Sequence, residues 1–160
     1  MKIHYISENN SVLNHFLGQI RNVSVQNDSM RFRRNIERIG EIMAYELSKD
    51  LSYKEVEIET PLGIKKTTEI ESDLVLCSIL RAGLPLHNGF LNYFDHAENS
   101  FVSACRYHPN NDDEFEIRVE YQAVSNINDK TVLLLDPALK IEHRTKSLSI
   151  SVVFLMPSGV

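Results

Sequence analysis

Two kinds of hydrophobic pattern divide this chain. Across residues 11–25, Val12, Phe16 and Ile20, with Leu13 and Leu17 beside them, recur at the three-and-four spacing of an amphipathic helix. Asn27, Asp28 and Ser29 are all good N-cap residues. Behind them Phe32, Ile36, Ile39, Met43 and Leu47 fall at i, i+4, i+7, i+11 and i+15, which predicts a second and longer helix. Its other faces carry Arg31, Arg34, Arg38 and Glu41, with Arg38 and Glu41 spaced to pair along the helix. The arginine cluster reads as a solvated helix face, with a subunit contact as the alternative.

After this the period changes to two. Val56 and Ile58 alternate with Glu55, Glu57 and Glu59, Pro61-Leu62-Gly63 makes a turn, and residues 64–70 return as a second alternating strand. A β-hairpin with one exposed face is expected. Residues 73–77 and 131–135 are short apolar blocks, the mark of strands covered on both faces, and residues 101–105 form another strand. Leu84, Leu86, Phe90, Leu91 and Phe94 mark a short helix starting near Pro85. Phe115, Ile117, Val119 and Tyr121 alternate with charged residues in an expected half-buried strand. Residues 126–130 read as a turn and residues 148–155 as a last apolar strand.

Strands interleaved with helices give an α/β domain, and 160 residues suit a single domain spanning 1–160. No apolar run is long enough to span a bilayer, and the amino terminus lacks the apolar segment of a secretory signal, so a cytoplasmic protein is expected. Cys77 and Cys105 lie in or beside apolar runs and read as buried free thiols rather than a disulfide framework. The six histidines show no zinc-ligand spacing, so no structural metal is expected. A net charge of −5 argues against a general nucleic-acid binder.

Candidate chemistry lies at the carboxyl ends of the apolar strands, where open α/β sheets bind ligands. The first buried strand leads into Ser78-Ile79-Leu80-Arg81-Ala82-Gly83 and then a helix start, a favourable place for phosphate oxygens. The strand at residues 101–105 ends in Arg106, and the block Thr131-Val132-Leu133-Leu134-Leu135 ends in Asp136-Pro137. Two cations and one acid therefore converge by topology.

At this point a family resemblance emerges. The segments FRRNIERIGEIMAYELSKDL, VEIETPLG, ILRAGL and TVLLLDP, beginning at Phe32, Val56, Ile79 and Thr131, follow the order and spacing of the uracil phosphoribosyltransferases. The resemblance implies a phosphoribosyltransferase-type, mostly parallel sheet flanked by helices, with a hairpin extension around Pro61 and Gly63. It also implies transfer of a phosphoribosyl group from 5-phosphoribosyl 1-diphosphate (PRPP) to uracil, giving UMP and pyrophosphate for pyrimidine salvage. On this reading Arg81 and Arg106 bind PRPP phosphates, and Asp136 is the catalytic residue facing the ribose hydroxyls. Pro137, Ala138 and Leu139 continue the PRPP loop. Mg²⁺ comes with PRPP, with no protein ligand directly assigned, and the protein forms a homo-oligomer. A non-proline cis peptide at Leu80–Arg81 is a further implication.

The chain departs from the family pattern after Asp136-Pro137, where Ala138-Leu139-Lys140-Ile141-Glu142 lacks the threonine and glycines of the family's small-residue run and the helix that follows it. A parallel crossover with its helix needs at least about 10–12 residues, so a phosphate loop plus a full helix does not fit within residues 136–147. The segment that reads uracil in the family has no counterpart before Val160, and no uracil-binding residue is assigned. Two explanations stay open. Either residues outside this sequence complete the site, or the chain is a truncated relative that keeps the front half of the fold. A pyrimidine-nucleotide-responsive regulator and a catalytically silent oligomerisation scaffold are the alternative functions.

Overall fold

The computed structural model describes residues 6–107, 116–137 and 151–155. Helix α1, Val12–Arg21, buries Leu13 and Ile20. Helix α2, Ser29–Ser48, starts where the side chain of Asp28 accepts a hydrogen bond from the Arg31 backbone N–H at 3.0 Å, and it buries Ile36, Ile39, Gly40 and Ala44. Both helices fall where the apolar spacing places them, although α1 stops short of the expected residue 25. Asn22 ends it by returning its N–H to the carbonyls of Gly18 and Gln19.

The hairpin pairs β1, Tyr53–Thr60, with β2, Gly63–Ile70, through a two-residue turn at Pro61 and Leu62. Gly63 has φ +125°, a conformation open to glycine and strained for other residues. The Thr60 hydroxyl locks the turn by donating to the Gly63 carbonyl at 2.6 Å.

The main sheet has the order β5-β4-β3-β6-β7. At its centre β3, Leu74–Leu80, runs parallel to both β4, Glu98–Tyr107, and β6, Thr131–Asp136. Each edge carries an antiparallel strand: β5, Glu116–Ala123, on β4, and β7, Ser151–Leu155, on β6. The α/β architecture with a separate hairpin is as expected, and the parallel pairing is confined to the three central strands. Because β7 is antiparallel to β6, its connection is not bound by the minimum length of a parallel crossover.

Helix α3, Leu84–Leu91, with Pro85 in its first turn, packs on β3 and β6, and α2 packs on α3. Leu74 and Leu76 of β3 and Leu133 and Leu135 of β6 meet Leu86, Phe90, Ile36 and Ile39 in one core. Each such side chain removed from water contributes roughly 1.5–3 kcal/mol. Helices α2 and α3 touch backbone to backbone, since a Cβ on Gly89 would lie 2.1 Å from the Glu37 carbonyl oxygen and one on Gly40 would lie 2.6 Å from that of Leu86. Between α1 and α2 the fully buried Asn35 donates to Gln19 Oε1 at 2.8 Å and accepts from Arg38 at 3.2 Å.

Three expectations are corrected. Arg38 does not pair with Glu41: it serves Asn35 and lies over the Phe16 ring at 5.2 Å, while Glu41 accepts from Asn92 just beyond α3. Cys77 is buried, but Cys105 is exposed. On β5 the apolar side chains Ile117, Val119 and Tyr121 are exposed rather than half-buried, because it is an edge strand that no described helix covers. No described helix is long and apolar enough to cross a membrane.

The helix contact yields a paired prediction. Gly89→Ala forces α2 and α3 apart and should cost at least about 1–3 kcal/mol in urea denaturation. Gly18→Ala, whose Cβ would meet nothing within 4 Å, should instead stabilise the protein by about 0.5–1 kcal/mol.

Candidate functional site

The carboxyl ends of β3 and β6 lie side by side because the register pairs Ser78 with Leu135, leaving Asp136 as the next residue of β6. From the same level β3 runs on to Leu80, and the Leu80–Arg81 peptide is cis, as the resemblance implies. Arg81 is exposed. Its carbonyl accepts from Leu84 N–H at 3.3 Å, and Gly83 N–H returns to the Ile79 carbonyl at 2.9 Å, so the loop folds directly back onto the strand it has left.

Gly83 makes this fold possible. A Cβ there would lie 2.6 Å from the Ile79 oxygen and 3.1 Å from the Leu135 oxygen, so the loop rests on the ends of both strands. Arg81 is thereby set in the loop that touches the residue preceding Asp136. Asp136 is half-buried and pairs across the ladder with Ser151 of β7, while Pro137 is buried in the turn that follows. Ala138 and Leu139, also expected at the site, lie outside the described residues.

Arg106 is placed differently. The last paired residues of β3 and β4 are Leu80 and Ser103, yet β4 continues to Tyr107 alongside β5. Arg106, opposite Ile117, therefore sits three residues, roughly 10 Å of strand, beyond that level. It stands at the end of its strand as the sequence predicts, but that end lies beyond the level of β3 and β6. A register shift in the β4–β5 pairing between Ser103 and Ala104 marks where the two-stranded ribbon leaves the sheet. On this ribbon Arg118 lies over the Tyr107 ring at 3.3 Å, and the carboxylate of Glu120 accepts from Cys105 Sγ and pushes that thiol's pKa up.

At the opposite end of the sheet, Lys130, just before β6, pairs with Glu98 at the start of β4 and holds its carboxyl below the usual range. Among the described residues no group of three or more His, Cys, Asp or Glu side chains could hold a metal ion.

One cluster beside the Arg81 loop was not singled out from the sequence. His87 of α3 is 3% exposed; its Nδ1 lies 2.8 Å from Ser78 Oγ and its Nε2 lies 2.6 Å from Asn99 Oδ1. Asn99 Nδ2 faces the Ala97 carbonyl at 3.5 Å, which turns the amide oxygen toward the imidazole. His87 Nε2–H therefore donates to Asn99, Nδ1 accepts from the Ser78 hydroxyl, and the ring is satisfied while neutral. Burial pushes its pKa down. The available signal was position: His87 is three residues after Leu84 and three before Phe90, on the apolar stripe of a short helix.

A pH dependence follows from this burial. Below the ordinary imidazole value of 6.5 the unfolded chain takes up a proton that folded His87 resists, so stability should fall as pH drops from about 6.5 toward the lowered folded value. The contribution of this one group can reach about 1.4 kcal/mol per pH unit. Urea midpoints measured between about pH 7 and about pH 5.5 should show this slope, and His87→Gln should flatten it.

Comparison with known proteins identifies the family. The family model described as uracil phosphoribosyltransferase matches residues 6–143. The uracil phosphoribosyltransferase of Porphyromonas gingivalis is 47% identical over 139 residues, covering 87% of this chain and 64% of the relative. That of Methanothermobacter thermautotrophicus is 39% identical over 114 residues, 70% of this chain and 52% of the relative. Among solved structures, the AQ2163 protein from Aquifex aeolicus superposes with a TM-score of 0.70 at 26% identity, covering 81% of this chain and 60% of that one. The chain thus spans between half and two-thirds of the length of these relatives. With 138 consecutive residues matched and nearly half of the positions shared with the Porphyromonas protein, the chain belongs to the uracil phosphoribosyltransferase family.

Proposed function

We propose that the protein transfers the phosphoribosyl group of PRPP to a nitrogen of uracil, forming UMP and pyrophosphate, and so serves pyrimidine salvage in the cytoplasm. The observation that carries this reading is the seating of the Arg81 loop by Gly83 against Leu135, beside Asp136, in a chain of this family.

The chemistry asks for fixed charges of both signs. As the bond from the anomeric carbon to pyrophosphate breaks, positive charge develops on the ribose and the electron pair leaves with the pyrophosphate oxygen. A new bond to the uracil nitrogen, which gives up its proton to water or to the departing pyrophosphate, then completes the transfer. Charges already in place around both centres stabilise that state more than they stabilise the substrates. Arg81, exposed at the mouth of the site, would meet the phosphates, where its guanidinium can contact two oxygens at once and stays charged at any working pH. Arg106 would reach them from the β4–β5 ribbon. Asp136 would hold the ribose hydroxyls, with Pro137, Ala138 and Leu139 continuing the loop around the sugar phosphate.

Among the described residues no acidic cluster stands ready to cage a metal, which suits Mg²⁺ carried in by the substrate, since this ion keeps its waters and phosphate oxygens rather than entering an all-protein cage. When bound, Mg²⁺ supplies neutralisation of the departing pyrophosphate. A homo-oligomer is part of the same proposal.

Steady-state assay of the full-length polypeptide with uracil, PRPP and Mg²⁺ should yield UMP, and absence of UMP would overturn the reading. Arg81→Ala should lower kcat/KM for PRPP by about 10²-fold, and Asp136→Asn should lower kcat by about 10²–10³-fold.

A further inference from the structure

We infer that Ser78, His87 and Asn99 form a positioning clamp for the Arg81 loop, with His87 the residue that sets PRPP affinity from inside the core. The inference rests on the proposed transferase function and goes beyond it, because Ser78 and His87 are buried beneath the loop and act on Arg81 only through its backbone.

The clamp follows from chain order. Ser78 lies three residues before Arg81 and His87 six residues after it, so the contact between Ser78 Oγ and His87 Nδ1 closes the segment between them at both ends. His87 is tied to the loop by its backbone as well, its N–H donating to the Gly83 carbonyl at 2.9 Å. Through Nε2 the same ring reaches Asn99 on β4, the strand that carries Arg106, and its centroid lies 4.9 Å from that of the tilted Phe101 ring. One imidazole therefore joins β3, α3 and β4, the elements that carry or flank the Arg81 loop and the strand bearing Arg106.

An apolar side chain at position 87 could fill the space but would specify neither the rotation of α3 about its axis nor its height along β3. Two directional bonds specify both. Such a residue acts on affinity because small displacements of a phosphate-binding group are costly to a charge-matched site. Gln can reproduce the pattern, since it offers donor and acceptor, whereas Leu leaves the fully buried Ser78 hydroxyl without its partner and releases Asn99 to water.

The test uses the full-length polypeptide, with PRPP binding followed by calorimetry and turnover measured separately for each substrate. Ser78→Ala, which removes one hydroxyl, and His87→Leu should each weaken PRPP binding by about tenfold with the KM for uracil unchanged, and His87→Gln should restore most of the loss. Ile20→Val, a core change in α1 away from the loop, serves as the stability control and should lower the melting temperature without altering PRPP affinity. Unaltered PRPP affinity in folded Ser78→Ala, or an equal loss in Ile20→Val, would overturn the clamp. If His87→Leu fails to fold, Ser78→Ala and His87→Gln still decide. Failure of the wild-type polypeptide to bind PRPP would instead refute the functional reading, so the two failures are distinguishable.

Discussion

The structure depends most on a close approach of backbone to backbone at the carboxyl ends of β3 and β6. Gly83 lies where any side chain would collide with the Ile79 carbonyl and crowd that of Leu135. Because no Cβ intervenes, the loop that carries Arg81 folds flat onto the strands, and α3 can begin one residue later with its axis already over the sheet. Everything above the sheet is placed from that contact. Helix α3 lies on β3 and β6, α2 lies on α3 through Gly40 and Gly89, and α1 is fastened to α2 through Asn35. Displacing the Gly83 contact would therefore move the helical layer and the candidate site together.

The residues that set this layer are unevenly legible in the sequence. The apolar positions of α1 and α2 repeat at helical spacing because each helix buries only one stripe, and Asp28 announces the start of α2 by a side chain that can replace a missing backbone partner. The central strands are legible for the opposite reason: covered on both faces, they lose alternation and become apolar blocks. The Pro61-Leu62-Gly63 turn was visible because Gly63 takes a backbone conformation that few other residues tolerate.

What stayed hidden involves partners distant in sequence. A strand's direction leaves no mark on its own residues, so the antiparallel setting of β7 could not be read from its apolar character. Alternation on β5 marks a strand but does not say whether a neighbour covers its apolar side, and here Ile117, Val119 and Tyr121 remain exposed. Arg106 stands just past an apolar run, as Arg81 does, yet β4 gains a second partner in β5 and continues where β3 stops. His87 and Asn35 were hidden differently, since a polar residue on an apolar stripe looks like an imperfection until its partners on other elements are known.

Those two polar residues show how charge is distributed in this fold. Inside, where an unpaired ion would cost several kcal/mol, polar contacts at His87 are made by groups that remain neutral, and burial favours that neutrality. At the rim, Arg81 is exposed to water, where a guanidinium costs little to hold until an anion arrives. The arrangement separates two requirements that conflict in a single residue. Directional rigidity needs a dry environment in which hydrogen bonds do not exchange with water, whereas a permanent cation needs solvent. Placing the buried Ser78–His87 pair on β3 and α3, and the cation on the short loop between them, lets the interior fix the position of a charge it does not contain.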